Sequence, residues 1–454
     1  MNPASGPSPI NVVFKLRKSV PRSVSFFQFT KVKLHLSFTF HTSRFMFYPA
    51  YMNIQNRKCL VVGAGVVAAR KVASLLRSGG DVTLISPEAT QTLDDFARTG
   101  LIRWHRRQFQ NGDTEGMFLV CAATDQPELN TQVFKEAHEM NGINLVNVVD
   151  VVPECTFAAA SVITYGDVTI SISTSGKSPA MSRRIREHLE TKFGAPSLYA
   201  ESLDMDFIPP PEQGFPYPVY FLLENRRCVV VSRSENMSEA LAQRADLLRR
   251  CGASVERIVP PLCPPRGQGG WGSDNHRLSD AFLVCIEDMK PARENPVFNQ
   301  IQLIECLMHP ELGAFTTPLL VMQGPLIISI STHRVGSAGA AGALPSPPSE
   351  EEPDKAKRVQ SELASQFENK GYGEFIDFLG ALRPLAMDAI PTQERRQRFF
   401  DELIDQIPTN QGQTCCLGFA DNDCPIECTF NLVRHGQLDR ARQYALQRID
   451  ESIN

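Results

Sequence analysis

The sequence predicts an α/β protein with parallel sheets, built twice within one chain and completed by helices. Three observations carry this. From Met46 to Asp150, short apolar runs alternate with segments of helical period. From Phe215, blocks of that pattern return in the same order. Beyond residue 357, apolar positions recur at helix spacing.

The first 45 residues hold seven Lys/Arg, many Ser and no acid, and the first acidic residue of the chain is Asp81. Such a stretch reads either as an organelle transit peptide or as a disordered or spurious extension ahead of a start at Met46. After it, "KCLVVGAG" is a strand ending in glycines, and "VAARKVASLLRSGG" is a helix with a Gly pair at its end. "DVTLISP" is a strand closed by Pro87, "LIRWHRRQF" a third strand and "GMFLVCAATD" a buried one. "PELNTQVFKEAHEMNG" is a helix stopped by Gly142, and "INLVNVVD" a further strand. "TFAAASVITYGDVTISISTSG" contains two strands rich in Ser, Thr and β-branched residues. "SPAMSRRIREHLETKFG" is a helix with Ser178 as N-cap, Pro179 in the first position and Gly194 as stop.

The pattern then restarts. "YPAYMNIQNRKCLVV" from Tyr48 lines up with "YPVYFLLENRRCVVV" from Tyr217, and "MFLVCAATD" with "AFLVCIED". "GDVTISIST" from Gly166 lines up with "GPLIISIST" from Gly324, and "RRIREHLETKF" with "KRVQSELASQF". An ordered series of echoes marks an internal duplication. The expected organisation is a first domain at 46–195, a Pro-rich linker at 196–214 and a degenerate repeat at 215–332. A low-complexity linker at 333–356, a helical region at 357–410 with Pro391 between two helices, and a tail at 411–454 complete it.

Composition is that of a globular protein, 42% hydrophobic and 21% charged. A net charge of −4 gives no basic footprint, so nucleic acid is excluded as the main partner. No apolar run reaches the roughly 18 residues of a membrane helix, so a membrane is excluded too, and the expected location is the cytoplasm, or an organelle if residues 1–45 are a transit peptide. The 12 cysteines include Cys59, Cys121, Cys228 and Cys285 within apolar strands, where reduced, buried thiols are expected. Cys415, Cys416, Cys424 and Cys428 match no familiar metal-ligand spacing. The nine histidines form no ligand pair, and His188 is expected at the surface.

Gly63, Gly65 and Ala68 form a GxGxxA turn between strand and helix, the mark of a Rossmann-like dinucleotide fold. Gly63 permits the tight turn, Gly65 the approach of a pyrophosphate, and Ala68 close packing of helix on strand, with the phosphate on the helix N-terminus. A plain packing turn would also use these residues. Ser86 stands where an acid usually selects NAD, Glu88 follows, and no Arg stands there for a 2′-phosphate, so NAD is favoured over NADP. Thr124 ends the next strand on the same sheet edge, beside small residues that would let a nicotinamide ribose lie close. "NVVD" places Asp150 at a strand end, as a general base or as a structural carboxylate. Lys177, Ser178 and Arg183 surround a helix start suited to carboxylates, and the same basic run would serve as a solvated face. In the second repeat Ser232, Ser234 and Met237 fall opposite Gly63, Gly65 and Ala68, and Glu305 to Met308 replaces NVVD.

Taken together, "KCLVVGAGVVAARKV", "CAATDQPELN", "NVVD" and "STSGKSPAMSRRIREHLE" resemble the dehydrogenase domain of the siroheme synthase family, over about 150 residues. "LGALRPLAMDAIPTQERRQRFFDELID" is similar to that family's helical dimerisation region. The resemblance implies NAD-dependent oxidation of precorrin-2, a tetrapyrrole polycarboxylate, to sirohydrochlorin. It implies NAD contacts at Val66, Val67, Pro87 and Glu88, and Thr174 lining the substrate site. It makes Asp150 the base and, where a member also chelates, an iron-site residue with ferrous iron as substrate. The family pairs two such domains, so one chain with two repeats is expected to be a pseudo-dimeric monomer or a homodimer. The bifunctional dehydrogenase and chelatase is the near alternative. A nucleotide-sensing regulatory or tetrapyrrole-binding module is the alternative of another class.

Overall fold

The computed structural model describes residues 46–149, 151, 154–165, 168–194, 215–259, 275–288, 298, 300–332, 352–404 and 428–453. The first repeat runs β1 (Tyr48–Met52), β2 (Lys58–Val62), α1 (Val66–Arg77), β3 (Asp81–Ile85), α2 (Gln91–Arg98), β4 (Arg103–His105), β5 (Leu119–Ala122), α3 (Pro127–Phe134), β6 (Val146–Val148), β7 (Phe157–Ala159), β8 (Ser161–Tyr165), β9 (Val168–Ser173) and α4 (Pro179–Phe193). Five of its strands form a parallel sheet in the order β4-β3-β2-β5-β6. Beyond the first residues of β2 and β3 its central strands are buried, which is why they read as apolar runs without alternation. The strand order reverses about β2, so the crevice expected to take a ligand lies beyond the end of β2.

The second repeat runs β10 (Tyr217–Phe221), β11 (Arg227–Val231), α5 (Glu239–Arg250), β12 (Ser254–Ile258), α6 (Asn275–Ser279), β13 (Leu283–Ile286), β14 (Ile304–Cys306), β15 (Phe315–Thr316), β16 (Leu319–Gln323), β17 (Leu326–Thr332) and α7 (Glu352–Phe367). Its parallel sheet has the order β12-β11-β13-β14, the arrangement of β3-β2-β5-β6. α7 lies on β16 and β17 as α4 lies on β8 and β9, so it closes the second repeat. Helices α8 (Tyr372–Ala389), α9 (Gln393–Ile404), α10 (Thr429–Arg434) and α11 (Leu438–Ile453) follow.

The two repeats are joined by their sheets. β1 pairs antiparallel with β10, and Ala50 lies opposite its own counterpart, Val219. β9 pairs antiparallel with β17, and Ser171 lies opposite its own counterpart, Ser329. Each pairing is therefore self-complementary about a local two-fold axis. The outer strands are exchanged: β7 of the first repeat pairs with β10, and β15 of the second with β1. Phe157, Phe221 and Phe315 are buried within this exchanged sheet, with Phe221 and Phe315 edge to face at 6.0 Å. Such aromatic pairs contribute about 1 kcal/mol beyond burial.

A second core lies under the sheet β16-β17-β9-β8, formed by the inner faces of α4, α7 and α8 to α11. Tyr372, Phe375 and Phe430 are buried there, with ring centroids of Tyr372 and Phe375 each 5.2 Å from that of Phe430. Pro391 separates α8 from α9, as its sequence predicts.

Several expectations change. The "TFAAASVITYGDVTISIS" stretch forms three strands where two were expected. α3 gives way to a single wide turn at Lys135–Met140. His188 is half-buried rather than exposed, its Nε2 2.6 Å from the Gln366 amide on α7. Between β11 and α5 stand seven residues, where three stand between β2 and α1. The direct alignment of Ser234 and Met237 with Gly65 and Ala68 therefore fails, and the second repeat carries four extra residues in that turn. The eight described cysteines are all buried and unbridged. Burial holds the Cys155 thiol up at about 11 and that of Cys228 at about 12, so neither is a thiolate at neutral pH. Cys428 caps α10, while Cys415, Cys416 and Cys424 lie outside the described residues.

Candidate functional site

The turn after β2 has the backbone that its glycines require. Gly63 sits at φ +95°, and a Cβ there would lie 2.5 Å from the Ala123 carbonyl oxygen. Both facts exclude a side chain. Gly65 differs: it is the N-cap of α1 at φ −76°, and a Cβ there would meet nothing within 4 Å. Its side-chain position opens into empty space at the helix N-terminus. The first turn of α1 carries no acid, and Val66 and Val67 are 62% and 46% exposed. Free amide groups and the positive end of the helix dipole thus face an open, apolar-edged crevice. That is the geometry which fits a pyrophosphate, and the Gly65 cradle is one that a side chain would fill.

The neighbouring strand ends frame the crevice. Pro87 and Glu88, past the end of β3, are exposed. The Ser86 carbonyl accepts from the Trp104 indole at 2.9 Å, which ties the end of β3 to β4. The two arginines that follow β4 are engaged: Arg106 stacks on Trp104 and pairs with Asp94, and Arg107 pairs bidentately with Asp113. The Arg107 guanidinium holds the Asp113 carboxyl below the usual carboxylate range. Thr124, past the end of β5, donates through its hydroxyl to Asn130 Oδ1 at 2.7 Å, and Asn130 returns a bond to the Thr124 carbonyl at 3.0 Å. Asn130 is buried and was not expected from the sequence as a support of this turn.

Beneath α1, the Lys71 ammonium donates to Asn147 Oδ1, and Asn147 Nδ2 donates to the Phe157 carbonyl at 2.9 Å. Lys71 was also not singled out, although it lies in the same helix as the glycine turn. Its counterpart in the second repeat is Arg244, bound to buried Glu305, which stands at the place of Asn147. Asp150, two residues beyond β6, lies outside the described residues.

The turn between β9 and α4 is tightly bonded within itself. Thr174 is buried, donates to the Ser178 carbonyl at 2.9 Å and accepts from the Ser182 hydroxyl at 3.1 Å. Ser178 caps α4 by accepting from the Met181 N–H at 3.2 Å, as its sequence predicts. Lys177 pairs with Asp377 of α8, and Arg183 with Asp401 of α9. Arg383 of α8 donates to the Gly176 carbonyl at 2.7 Å. The expected carboxylate-binding groups thus already have carboxylate partners from the C-terminal helices. The structure brings Gly63, Gly65, Val66, Val67 and Thr124 together beyond the ends of β2 and β5, buries Thr174 and Ser178 in their own turn, and ties Lys177 and Arg183 to α8 and α9.

In the second repeat the same place is filled. Glu287, at the end of β13 opposite Ala123, is buried, and its carboxylate accepts from the Arg233 N–H at 2.7 Å and the Ser238 N–H at 2.9 Å. Arg257 donates to Ser232 Oγ at 3.0 Å and to the Ser234 carbonyl at 2.8 Å. Among the described residues no group of metal-ligating side chains occurs, and no helix is long and apolar enough to cross a membrane.

Comparison with known proteins places the first repeat. Residues 50–161 match an NAD(P)-binding family model, and residues 166–192 match the central model of sirohaem biosynthesis proteins. The siroheme synthase of Photorhabdus laumondii is 41% identical over 144 residues, covering 32% of this chain and 30% of that protein. Siroheme synthase 1 of Serratia proteamaculans is 38% identical over 149 residues, covering 33% and 31%. The chain thus spans under a third of the length of these relatives. A solved structure titled "SirC, precorrin-2 dehydrogenase" is 25% identical, covers 31% of this chain and 69% of its own, and gives a TM-score of 0.29. Across residues 50–192 the chain is a relative of the siroheme synthases.

Proposed function

We propose that the first repeat binds NAD and that the chain oxidises precorrin-2 to sirohydrochlorin. The observation that carries this is the open cradle at Gly65, set against the filled one in the second repeat. Kinship with siroheme synthases over the same residues supplies the substrate class. NAD, when bound, supplies the hydride acceptor. Gly63 and Gly65 would give the backbone access to the pyrophosphate, Val66 and Val67 would cover it, and Pro87 and Glu88 would border the adenosine ribose. NAD is preferred over NADP because no Arg follows Ser86 at the end of β3, and Arg106 and Arg107, which follow β4 beside it, are paired with Asp94 and Asp113. Thr124, fixed by Asn130, would bound the nicotinamide end.

The reaction removes a hydride and a proton from the substrate, so a base is required on its side. Asp150 is that base in this proposal, two residues along the chain from β6, which the Lys71–Asn147 bond anchors. Thr174, Lys177, Ser178 and Arg183 enter as a substrate-side wall. There Lys177 and Arg183 would exchange Asp377 and Asp401 for substrate carboxylates. Anaerobic incubation of the purified chain with precorrin-2 and either NAD or NADP tests the reading. Sirohydrochlorin and NADH should form together with NAD, and more slowly with NADP. No product with either cofactor would leave a nucleotide-sensing or tetrapyrrole-binding module as the better reading. Added ferrous iron then tests chelation by the same chain.

A further inference from the structure

The second repeat keeps the sheet of a nucleotide fold yet differs at each point where a phosphate would bind. Its turn is longer by four residues, and those residues bond among themselves: Ser232 Oγ to the Ser234 carbonyl at 3.0 Å, and Ser234 Oγ to the Asn236 carbonyl at 2.8 Å. The Arg257 guanidinium bonds to Ser232 and to the carbonyls of Ser234 and Glu235, which fixes the loop against β12. The backbone N–H groups of Arg233 and Ser238, at either end of the loop, converge on the Glu287 carboxylate. The corresponding residue of the first repeat is Ala123, whose side chain could reach neither.

We propose that the second repeat is a self-liganded nucleotide fold. The Glu287 carboxylate takes the place of the phosphate at the start of α5, so each chain has one dinucleotide site and the second repeat serves as a permanent partner for the first. This rests on the reading of the first repeat as a nucleotide site. The chemistry is that of any anion at a helix start: amide donors and the helix dipole favour a negative group, and a tethered one loses little entropy in reaching them. Burial alone would raise the Glu287 carboxyl, but the bonds from Ser238 and Arg233 and the Arg233 charge hold it below its usual range. An external phosphate would have to displace an ionised, buried carboxylate that is already bonded.

Permanent partnership follows from the pairing of the repeats. β1 with β10 and β9 with β17 are joined along whole strands, and β7 and β15 are exchanged. Neither repeat can release the other without exposing those edges. Loss of nucleotide binding in one repeat leaves this joint intact.

Calorimetric titration of the full chain with NAD tests the proposal, together with Gly65→Leu and Glu287→Ala. Gly65→Leu is suited because space is open at that Cβ. The wild type should bind about one NAD per chain and Gly65→Leu none, a one-site stoichiometry for the linked equilibrium. In Glu287→Ala, amide exchange at Arg233 and Ser238 should speed up by about tenfold or more as a charge-assisted bond is lost. Two NAD per wild-type chain, one NAD retained by Gly65→Leu, or unchanged exchange in Glu287→Ala would each overturn it. Absence of binding in the wild type would instead reject the nucleotide reading of the first repeat, and the exchange measurement would still decide the role of Glu287.

Discussion

Ser171 and Ser329 face each other across the joint between the repeats, hydroxyl to hydroxyl at 2.6 Å. They are the same position of the two copies. Around them Tyr51 donates to the Thr169 and Ser329 carbonyls, both at 3.1 Å, and Tyr220 to the Ser171 carbonyl at 3.1 Å and the Ile327 carbonyl at 3.4 Å. Each bond of one tyrosine has its counterpart in the other. Burial holds the Tyr51 phenol up at about 12 and pushes that of Tyr220 up as well, so both stay neutral donors. The echoed YPxY and ISIST stretches thus supply the two halves of one buried network.

Tyr51→Phe and Tyr220→Phe should each lower stability by about 1–2 kcal/mol, as buried acceptors lose a donor. Because both hydroxyls lean on the same serine pair, the double variant should cost less than the sum. Denaturant melts of the four proteins measure this, and strict additivity would show that the two halves are independent.

Gly63 and Gly65 should separate folding from binding. Gly63→Ala places a Cβ against the Ala123 carbonyl at a positive φ and should destabilise by about 2 kcal/mol or more. Gly65→Leu replaces an exposed glycine N-cap with a poor capping residue and should cost only about 1 kcal/mol. Thermal melts compare the two, and a large loss in Gly65→Leu would mean that its cradle is part of the fold.

Lys71 and Arg244 occupy corresponding places with unequal partners. Arg244 faces the carboxylate of Glu305, which is nearly buried, and Lys71 the neutral Asn147. Glu305→Ala removes a buried carboxylate that pairs with half-buried Arg244 and accepts from the Thr317 N–H and hydroxyl, and should cost about 2–3 kcal/mol. Asn147→Ala should cost about 1 kcal/mol. Equal costs in denaturant melts would contradict the unequal strength of the two pairings.

His188 lies between α4 and α7, and burial, with Lys192 and Arg184 nearby, lowers its pKa to about 4. The folded chain therefore prefers the neutral ring. That contribution to stability is complete above the ordinary value near 6.5 and is lost as pH falls from there toward about 4. His188→Gln should flatten the melting temperature against pH over that window. Parallel pH profiles for variant and wild type would rule out His188 as the group responsible.

The glycine turn, the caps of α4 and the duplication are legible in the sequence because each has a local signature. Gly63 and Gly65 follow an apolar run, Ser178 and Pro179 open a helix, and Tyr48 and Tyr217 begin matching blocks. The pairing of β1 with β10 is not legible, since nothing within YPAYM states what it will bond to. The counter-charges Asp377 and Asp401 lie some two hundred residues from Lys177 and Arg183, so the basic run reads as a substrate site when its partners are unseen. Glu287 is missed for a related reason: its role depends on the lengthened turn at Ser232, and that length emerges only when β11 and α5 are placed.

The most direct measurement is anaerobic turnover of precorrin-2 with NAD by the wild type and by Gly65→Leu at matched folded concentration. The account predicts sirohydrochlorin and NADH in equal amounts from the wild type. It predicts a loss of about a hundredfold or more in Gly65→Leu, whose side chain would occupy the space of a bound phosphate, as loss of a positioned reactant costs. Equal turnover by the two proteins, or none by the wild type, would contradict it.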